Sequence, residues 1–421
     1  MRVFKFGGAS VKDANGVRNL LKVLDYEGVT DTLMVVSAMG KMTNAFEEVV
    51  HSYLSKKENL NFSLKAVKEF HVNIVQELFE NENPIFDVLQ KLFDSLQLFL
   101  VQNTSEDYNY IYDQVVSYGE LLSTKIISAF LEKEKISNQW LDIRTVLKTD
   151  SNYRNATVDW EATISNSEKL DRDKLYITQG FISRDKKGDT TTLGREGSDY
   201  TAGIIAYCLH AKSVTIWKDV AGVLNADPRV FEKTVLLENI SYQEAIEMAF
   251  YGASVIHPKT IKPLENRRIP LYVRSFEDLE NTGTKVSKGI DLHPKTNCFI
   301  VKKNQILVSI STNDFSFMVE ENISDIFKLL HDFKLKVNLI QNSAISFSVC
   351  LEDGYQNFSK FYKKLHPNFK VKYNTNITLF TVRHFDDDSI KNIQRKGDVL
   401  LQQISRETVQ LAIAEKNNYA N

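Results

Sequence analysis

The spacing of apolar side chains changes twice within the first forty or so residues. Val3, Phe4 and Phe6 give a strand pattern at the N-terminus, and Thr32–Val36 gives a second one. Between them, apolar residues at positions 17, 20, 21 and 24 recur at helical spacing. This order predicts a βαβ unit and therefore a parallel sheet.

The following segment predicts helices. Residues from about 44 to 134 are poor in glycine and keep a helical apolar period, with Pro84 separating two of the helices. We expect a helical insertion after the second strand. The α/β pattern then resumes, with strands at 175–178, 214–217 and 270–274 and a helix that begins near Ser198. We expect the strand at 270–274 to be the last one of this region.

A different pattern follows a turn-rich linker at 281–296. Its predicted elements are a strand at 307–311, a helix at 323–333, strands at 337–341 and 346–351, and a helix at 358–365. That order is typical of a ferredoxin-like module. The tail at 379–414 repeats it in shortened form. We therefore predict an α/β domain at 1–285, a first module at 300–372 and a shortened second module at 373–421, which a strand near 297–303 would complete.

Bulk composition narrows the class of protein. The chain has 421 residues, 43% hydrophobic and 25% charged, which suits two or three packed domains. The formal net charge of -2 does not indicate a nucleic-acid partner, and no apolar run reaches the ~18 residues of a membrane helix. Cys208, Cys298 and Cys350 are far apart in apolar contexts, which indicates reduced thiols. Together with the missing signal-peptide pattern, they lead us to expect a cytoplasmic protein.

The N-terminal strand runs directly into a glycine pair. Gly7 and Gly8 let backbone N–H groups approach phosphate oxygens, and Lys5 can neutralise charge that develops during phosphoryl transfer. The lysine precedes the glycines, so the segment is not a P-loop. Taken alone, a plain tight turn explains the segment equally well.

A second glycine-rich loop carries an arginine. It reads Gly194-Arg195-Glu196-Gly197-Ser198-Asp199. The planar guanidinium of Arg195 suits a carboxylate, and Ser198 or Asp199 can cap the helix that follows. The alternative is a surface loop before an ordinary capped helix.

Two further segments offer weaker signals. Lys218, Asp219 and Arg229 follow the strand at 214–217, at the end where open α/β sheets bind ligands, although a solvated turn is the alternative. Glu120 is predicted at a helix start, where its carboxylate could hold an ammonium group or simply be exposed. His257 before a proline is interpreted as structural. No group of potential ligands has metal-binding spacing, so no protein metal site is predicted.

Taken together, these segments resemble the aspartokinase family. Residues 5–10 are similar to its Lys-Phe-Gly-Gly-Thr-Ser signature, with Ala9 in place of threonine, and residues 194–199 to its Gly-Arg-Gly-Gly-Ser-Asp block, with Glu196 in place of glycine. Further similar blocks are found at 35–41, 119–120, 227–229 and 270–275. The order and spacing agree over roughly the first 280 residues, and the tail resembles paired ACT modules.

The resemblance implies a fold and an activity. The fold would be the amino-acid kinase sandwich, a mostly parallel sheet between helices, followed by ferredoxin-like ACT regulatory modules. The activity would be transfer of phosphate from ATP to the side-chain carboxylate of L-aspartate, the first step toward lysine, threonine and methionine. Mg²⁺ would be held mainly by the nucleotide phosphates.

It also implies roles for particular residues. Lys5 would act on the transferred phosphoryl group, and Asp199 would orient Lys5. The residues that would hold aspartate are Ser37, Thr43, Glu120, Arg195 and Ser198. Those that would contact ATP are Lys5, Gly7, Gly8, Ser10, Lys218, Asp219, Leu224, Arg229 and Ser254.

Three further residues depart from the family pattern. Ser254 stands where the family has a lysine that meets ATP phosphates, and Leu224 replaces a tyrosine at the base. Lys218 replaces a threonine, and we hypothesise that it supplies the charge missing at Ser254.

The regulatory half leaves more open. The resemblance predicts a homodimer built through the ACT modules. Candidate effector contacts are Asn338, Gln341 and Asn342, although these amides could equally cap strands. The effector itself stays open. Two other functions compete with aspartate phosphorylation: a kinase that acts on another amino acid such as glutamate, and a ligand sensor with an inactive kinase domain.

Overall fold

The structure is a computed structural model that describes residues 1–55, 59–253, 256–314 and 316–415. It separates into two compact units. The first contains most of residues 1–294, and the second contains residues 295–415 with the short segments 224–235 and 247–253.

Residues 1–294 contain both strands and helices. The strands are β1 (Arg2–Phe6), β2 (Thr32–Val36), β3 (Gln139–Leu141), β4 (Tyr176–Gln179), β5 (Ile182–Arg184), β6 (Thr190–Thr192), β7 (Ser213–Lys218), β8 (Asn239–Ser241), β9 (Leu271–Ser275) and β10 (Thr284–Ser287). The helices are α1 (Ala14–Glu27), α2 (Met42–Leu54), α3 (Leu60–Leu78), α4 (Ile85–Gln102), α5 (Tyr108–Lys133), α6 (Ile143–Val146), α7 (Trp160–Ser167), α8 (Gly197–Leu209), α9 (Tyr242–Tyr251) and α10 (Pro258–Arg267).

An eight-stranded, mostly parallel sheet organises the first unit. Its order is β3-β4-β2-β1-β7-β9-β10-β8. Strand β2 is buried along its whole length, which explains its continuous apolar run. Phe6 pairs with Val36 on one side and with Trp217 on the other, so the residues that follow β1, β2 and β7 leave the sheet at the same edge. This mostly parallel α/β sheet confirms the predicted fold class.

The prediction that the strand at 270–274 ends the sheet was wrong. β10 follows it inside the expected turn-rich linker and pairs antiparallel with β9 and parallel with β8. Thr284 and Val286 are buried, whereas the residues between and after them are partly exposed. Four residues among turn formers are too short to show a clear period-two pattern.

Helices α2 to α5 form the predicted helical insertion, but Glu120 was misplaced at a helix start. Asp107 caps α5, its carboxylate accepting the N–H of Asn109 at 2.9 Å, so Glu120 lies in the middle of a long helix. Gly119 misled the prediction. A Cβ there would lie 2.9 Å from the Cβ of Ala38, so this glycine permits close packing and does not begin the helix.

The second unit is built on a six-stranded antiparallel sheet. Its elements are β11 (Cys298–Thr312), α11 (Glu320–Asp332), β12 (Lys336–Asn342), β13 (Ser346–Glu352), α12 (Phe358–Leu365), β14 (Phe369–Arg383), α13 (Asp387–Gln394), β15 (Asp398–Ile404) and β16 (Thr408–Ala414). The sheet order is β12-β13-β11-β14-β16-β15. Residues 298–302 pair with 379–383, and 307–312 pair with 369–374, with register shifts between the two stretches. The long strands β11 and β14 therefore pair with each other along two successive stretches, one near each end of the pair.

The structure also describes the environment of the cysteines and the character of the helices. Cys208, Cys298 and Cys350 are buried and free of disulfides. Among the described residues, no helix combines the length and the apolar character that crossing a membrane requires.

Candidate active site

A buried ion pair marks the carboxyl edge of the sheet. Lys5 lies near the end of β1 and Asp199 in the first turn of α8, and the Nζ of Lys5 is 2.6 Å from Oδ1 of Asp199. Their side chains are 9% and 6% exposed. Because an isolated charge at such a depth would be costly, the contact between the two opposite charges offsets part of the cost of burying them. The contact is the one expected if Asp199 orients Lys5.

The glycine turn after β1 puts no side chain of its own against the ammonium of Lys5. A Cβ on Gly7 would lie 3.2 Å from that ammonium. A Cβ on Gly8 would lie 2.7 Å from the carbonyl oxygen of Gly40 and 2.8 Å from that of Ala38. The hydroxyl of Ser10 donates to the carbonyl oxygen of Trp217 at 3.1 Å and ties the turn to β7. Gly7 therefore leaves space next to a lysine, which suits a phosphate group, whereas Gly8 permits close packing against the backbone of Ala38 and Gly40.

A cavity of about 520 Å³ opens beside this pair. The predicted site residues that line it are Lys5, Ser37, Thr43, Glu120, Arg195, Ser198, Asp199 and Lys218. Sequence reasoning assigned no role to its other lining residues, which are Tyr112, Arg154, Phe181, Thr192, Gly194, Glu196 and Gly197. The cavity therefore combines cations, carboxylates and hydroxyl groups within the first unit.

Glu120 is the buried carboxyl group of this cavity. Burial raises its pKa to about 8, although the N–H of Ala38, which donates to Oε1 at 3.3 Å, favours the ionised form. The other oxygen, Oε2, is buried and has no hydrogen-bond partner among the described residues. A buried carboxylate that is only half satisfied suits an ammonium group of a ligand.

The glycine-rich loop at residues 194–199, called the Gly-Arg loop below, contains a residue with a left-handed backbone conformation where it lines the cavity. Glu196 has a φ of +52° and occupies the N-cap position of α8. The prediction that Ser198 or Asp199 caps this helix was therefore wrong, because both lie inside its first turn. The chain reverses within the loop, which brings Ser198 against Gly180, where an added Cβ would lie 2.4 Å from that of Ser198. Arg195 is exposed at the cavity.

The buried carboxylate of Asp113 accepts hydrogen bonds from Arg154 and Thr192, two cavity residues that had no predicted role. One carboxylate oxygen of Asp113 accepts the N–H groups of Thr192 at 2.8 Å and of Arg154 at 3.0 Å, and the other accepts the hydroxyl of Thr192 at 2.7 Å. Burial raises the pKa of Asp113 to about 6 against these hydrogen bonds. Thr192 adjoins the glycine-rich motif, so its position was readable from the sequence. Arg154 lies in no motif, and only the fold brings it to the cavity.

Other predicted nucleotide contacts are not brought into the cavity by the first unit. Asp219 is exposed beyond β7 and does not line it. Leu224 and Arg229 belong to the second unit, where the guanidinium of Arg229 is 2.7 Å from the carboxylate of Asp227. Ser254 lies outside the described residues. The roles of these four residues stay predictions.

The candidate effector residues lie on β12. The side-chain oxygen of Asn338 accepts from Nζ of Lys302 at 2.7 Å, and its amide nitrogen donates to Gln305 at 2.7 Å. Burial lowers the pKa of Lys302 to about 8. Gln341 and Asn342 are exposed. Within the described ranges, no cluster of three or more histidine, cysteine or acidic side chains could hold a metal ion.

Comparison with known proteins first defines the class. The model of the Amino acid kinase family matches residues 1–275. Lysine-sensitive aspartokinase 3 of Escherichia coli (strain K12) is 32% identical over 356 residues, which cover 83% of this chain and 78% of that protein. The chain therefore belongs to the aspartokinase family, as its motifs indicated.

Further relatives and solved structures agree. The chloroplastic bifunctional aspartokinase/homoserine dehydrogenase 2 of Arabidopsis thaliana is 30% identical over 83% of this chain, which spans 39% of that longer protein. The crystal structure of E. coli aspartokinase III in complex with lysine and aspartate has a TM-score of 0.82 and 26% identity, covering 98% of this chain and 96% of that one. The complex of the same protein with aspartate and ADP has a TM-score of 0.81 and 27% identity over the same shares.

Proposed function

We propose that this protein is an aspartate kinase, which transfers the γ-phosphate of ATP to the side-chain carboxylate of L-aspartate and forms 4-phospho-L-aspartate and ADP. The observation that carries the proposal is the cavity that joins the Lys5–Asp199 pair to Glu120 and Arg195. Lys5 offers a cation for a phosphoryl group. Glu120 offers an anion for the ammonium group of an amino acid, and Arg195 offers a cation for its carboxylate. The aspartate and ADP bound by E. coli aspartokinase III support the same choice of substrates.

The proposed reaction needs positioning and charge neutralisation more than covalent catalysis. An oxygen of the aspartate side-chain carboxylate attacks the γ-phosphorus, the bond to the β,γ-bridging oxygen breaks, and ADP leaves. The acceptor is already ionised at neutral pH, so no general base is required. Lys5, held by Asp199 beside the glycine turn, stabilises the negative charge on the transferred group.

Recognition of aspartate is divided among groups around the cavity. Glu120 would receive the ammonium group, and Arg195 would bind the α-carboxylate in a bidentate manner. The hydroxyl groups of Ser37, Thr43 and Ser198 would supply further hydrogen bonds. Ser37 is well placed, since its N–H donates to the carbonyl oxygen of Phe6 at 3.1 Å and holds the loop against β1.

The nucleotide would enter from the edge formed by Gly7, Gly8 and Lys218. The ammonium of Lys5 and the adjacent turn, which has no side chain at Gly7, fit a phosphate chain. Mg²⁺, when bound, would neutralise charge on the β- and γ-phosphates, and we propose that these phosphates are its main ligands. Asp219, Leu224, Arg229 and Ser254 remain proposed contacts to ATP.

One assay tests the proposal against both alternatives. Release of ADP is measured with L-aspartate, with L-glutamate and with no acceptor, and the acyl phosphate is trapped with hydroxylamine. We expect turnover and hydroxamate with aspartate alone. Turnover with glutamate alone would indicate a different amino-acid kinase. Absence of acceptor-dependent turnover, with or without candidate effectors, would indicate an inactive kinase domain.

We also propose regulation by the second unit. Residues 1–285 would form the catalytic domain, 300–372 one ACT module, and 373–421 with the strand near 297–303 a second. These modules would join two chains into a homodimer, which light scattering after gel filtration tests. The three buried cysteines, which form no disulfide, support a reducing, cytoplasmic location.

The effector proposal can be tested with amino acids. L-lysine is the first candidate because a relative is described as lysine-sensitive and because E. coli aspartokinase III binds lysine in one structure. A ligand that uses Asn338 would have to displace the ammonium of Lys302. We expect L-lysine to lower activity or raise the melting temperature, and Asn338→Ala to weaken that response. If no amino acid changes either quantity, the sensor proposal fails.

A further inference from the structure

The guanidinium of Arg154 is a polar group at the cavity that the proposed mechanism does not use. Arg154 lies between α6 and α7 and lines the same cavity as Lys5 and Glu120. Its side chain is 41% exposed. In the described part of the chain, its nearest anion is the carboxylate of Glu47 at 3.6 Å, which is longer than a good hydrogen bond.

The backbone of Arg154 is held in an unusual conformation. Its φ is +66°, a region that residues other than glycine rarely adopt. The carboxylate of Asp113, which also holds Thr192, accepts the Arg154 N–H at 3.0 Å. The strained residue is therefore anchored to the same strand that leads into the Gly-Arg loop.

The side chain is held by aromatic faces. The guanidinium carbon lies 4.3 Å from the ring centre of Tyr112 and 5.2 Å from that of Tyr108, both on α5. The hydroxyl of Tyr108 donates to Glu47 at 3.0 Å and fixes that carboxylate as well. Stacking over a ring occupies the face of the guanidinium. Its N–H groups lie in the plane and stay available as a fork for two parallel hydrogen bonds to one carboxylate.

The position of Arg154 relative to Arg195 indicates what the fork would bind. The carbonyl oxygen of Arg154 is 3.0 Å from the place that a Cβ of Gly194 would occupy, so the two arginines belong to segments in direct contact. Both residues line the cavity. The cavity would hold an amino acid whose side-chain carboxylate faces Lys5, which leaves the α-carboxylate for cations elsewhere on its wall.

We propose that Arg154 is a second binding residue for the α-carboxylate of the amino-acid substrate and helps to determine specificity. This inference rests on the proposed aspartate kinase activity. Two guanidinium groups from touching segments would select for a free α-carboxylate and against acceptors in which that group is an amide. Glu47 holds the Arg154 side chain near this position before the substrate arrives.

The test compares two acceptors with two variants. L-aspartate is compared with its α-amide, isoasparagine, which keeps the ammonium and the reacting carboxylate but lacks the α-carboxylate. Kinetic constants and, for isoasparagine, its inhibition constant against aspartate are measured for wild type, Arg154→Gln and Arg154→Lys. Arg18→Gln serves as the matched control, since Arg18 is an exposed arginine on α1 that does not line the cavity.

Arg154→Gln should raise the KM for aspartate by about 10- to 100-fold, the loss of one charged hydrogen-bonded contact. The constants for isoasparagine and the KM for ATP should change by less than about threefold. Arg154→Lys should recover part of the loss, because it keeps the charge but not the fork. Arg18→Gln should behave as wild type.

Two results overturn the inference while leaving the proposed function intact. One is an unchanged KM for aspartate in Arg154→Gln. The other is an equal loss with both acceptors, which would indicate a structural role. If wild-type protein shows no aspartate-dependent release of ADP, the proposed function fails first, and the inference fails with it.

Discussion

Glu120 should change its ionisation state when aspartate binds. Burial raises the pKa of this carboxyl group to about 8 from its ordinary 4.5, so at pH 7 the empty site holds a proton about nine times in ten. An ammonium group placed against Glu120 favours the carboxylate and lowers its pKa. Binding should therefore release about 0.9 proton per aspartate at pH 7 and about 0.1 at pH 9.

Calorimetry measures this release directly. Aspartate is titrated at each pH in two buffers with different ionisation enthalpies, and the difference in heat gives the number of protons. Glu120→Gln cannot release this proton and should show none at either pH. Glu134→Gln, at the C-terminal end of the same helix and outside the cavity, should match wild type. Equal proton release by wild type and Glu120→Gln would refute the assignment of Glu120 to the ammonium.

The same group should make the empty protein less stable at high pH. Its folded pKa lies above its unfolded value, so the folded state holds the proton more tightly, and stability falls as pH rises from about 4.5 to about 8. The difference of 8 − 4.5 = 3.5 pKa units corresponds to at most about 5 kcal/mol. Without ligand, Glu120→Gln should have a higher melting temperature than wild type at pH 8 and a similar one at pH 4.5. Its KM for aspartate should be higher than that of wild type. Identical melting temperatures at pH 8 would contradict the burial argument.

Four further substitutions test the phosphate side of the cavity. Lys5→Met and Asp199→Asn should each lower kcat by about 100- to 1000-fold with smaller changes in the KM for aspartate, and full activity in either would contradict the role of the pair. Gly8→Ala should raise the KM for ATP and lower the free energy of unfolding by about 1–3 kcal/mol, since its Cβ would lie 2.7 Å from a carbonyl oxygen. Gly354→Ala is the control: its Cβ would meet open space, so activity and melting temperature should stay close to those of wild type. Lys218→Thr should strongly reduce turnover if Lys218 supplies phosphate-binding charge, and a small effect would refute that hypothesis.

Much of the fold follows from local patterns. The buried strands β1, β2 and β7, the helical insertion and the two repeats in the second unit all have periods that are visible in the sequence. The misplaced features were short or ambiguous. β10 has four residues among turn formers, and Gly119 resembled a helix boundary although it serves close packing with Ala38. In both cases a contact with distant residues outweighed the local signal.

The candidate site was predictable where it lies on motifs. Lys5, Arg195 and Asp199 belong to glycine-rich segments whose residue types already indicate phosphate and carboxylate chemistry. Arg154 and Tyr112 belong to no such segment. Tyr112 reaches the cavity from α5, and the place of Arg154 depends on Asp113 of the same helix holding the loop at residue 154.

The sequence by itself indicated the class of chemistry at the carboxyl edge of the sheet, because several motifs occur in the order of one family, although each glycine-rich loop taken alone has a structural alternative. It also determined that helices would cover a parallel sheet. Only the tertiary structure decided that Lys5 meets Asp199, that Glu120 loses its water and gains a raised pKa, and that Arg154 reaches the same cavity. These properties depend on distances between residues far apart in the chain and on exclusion of solvent, which local periodicity does not encode.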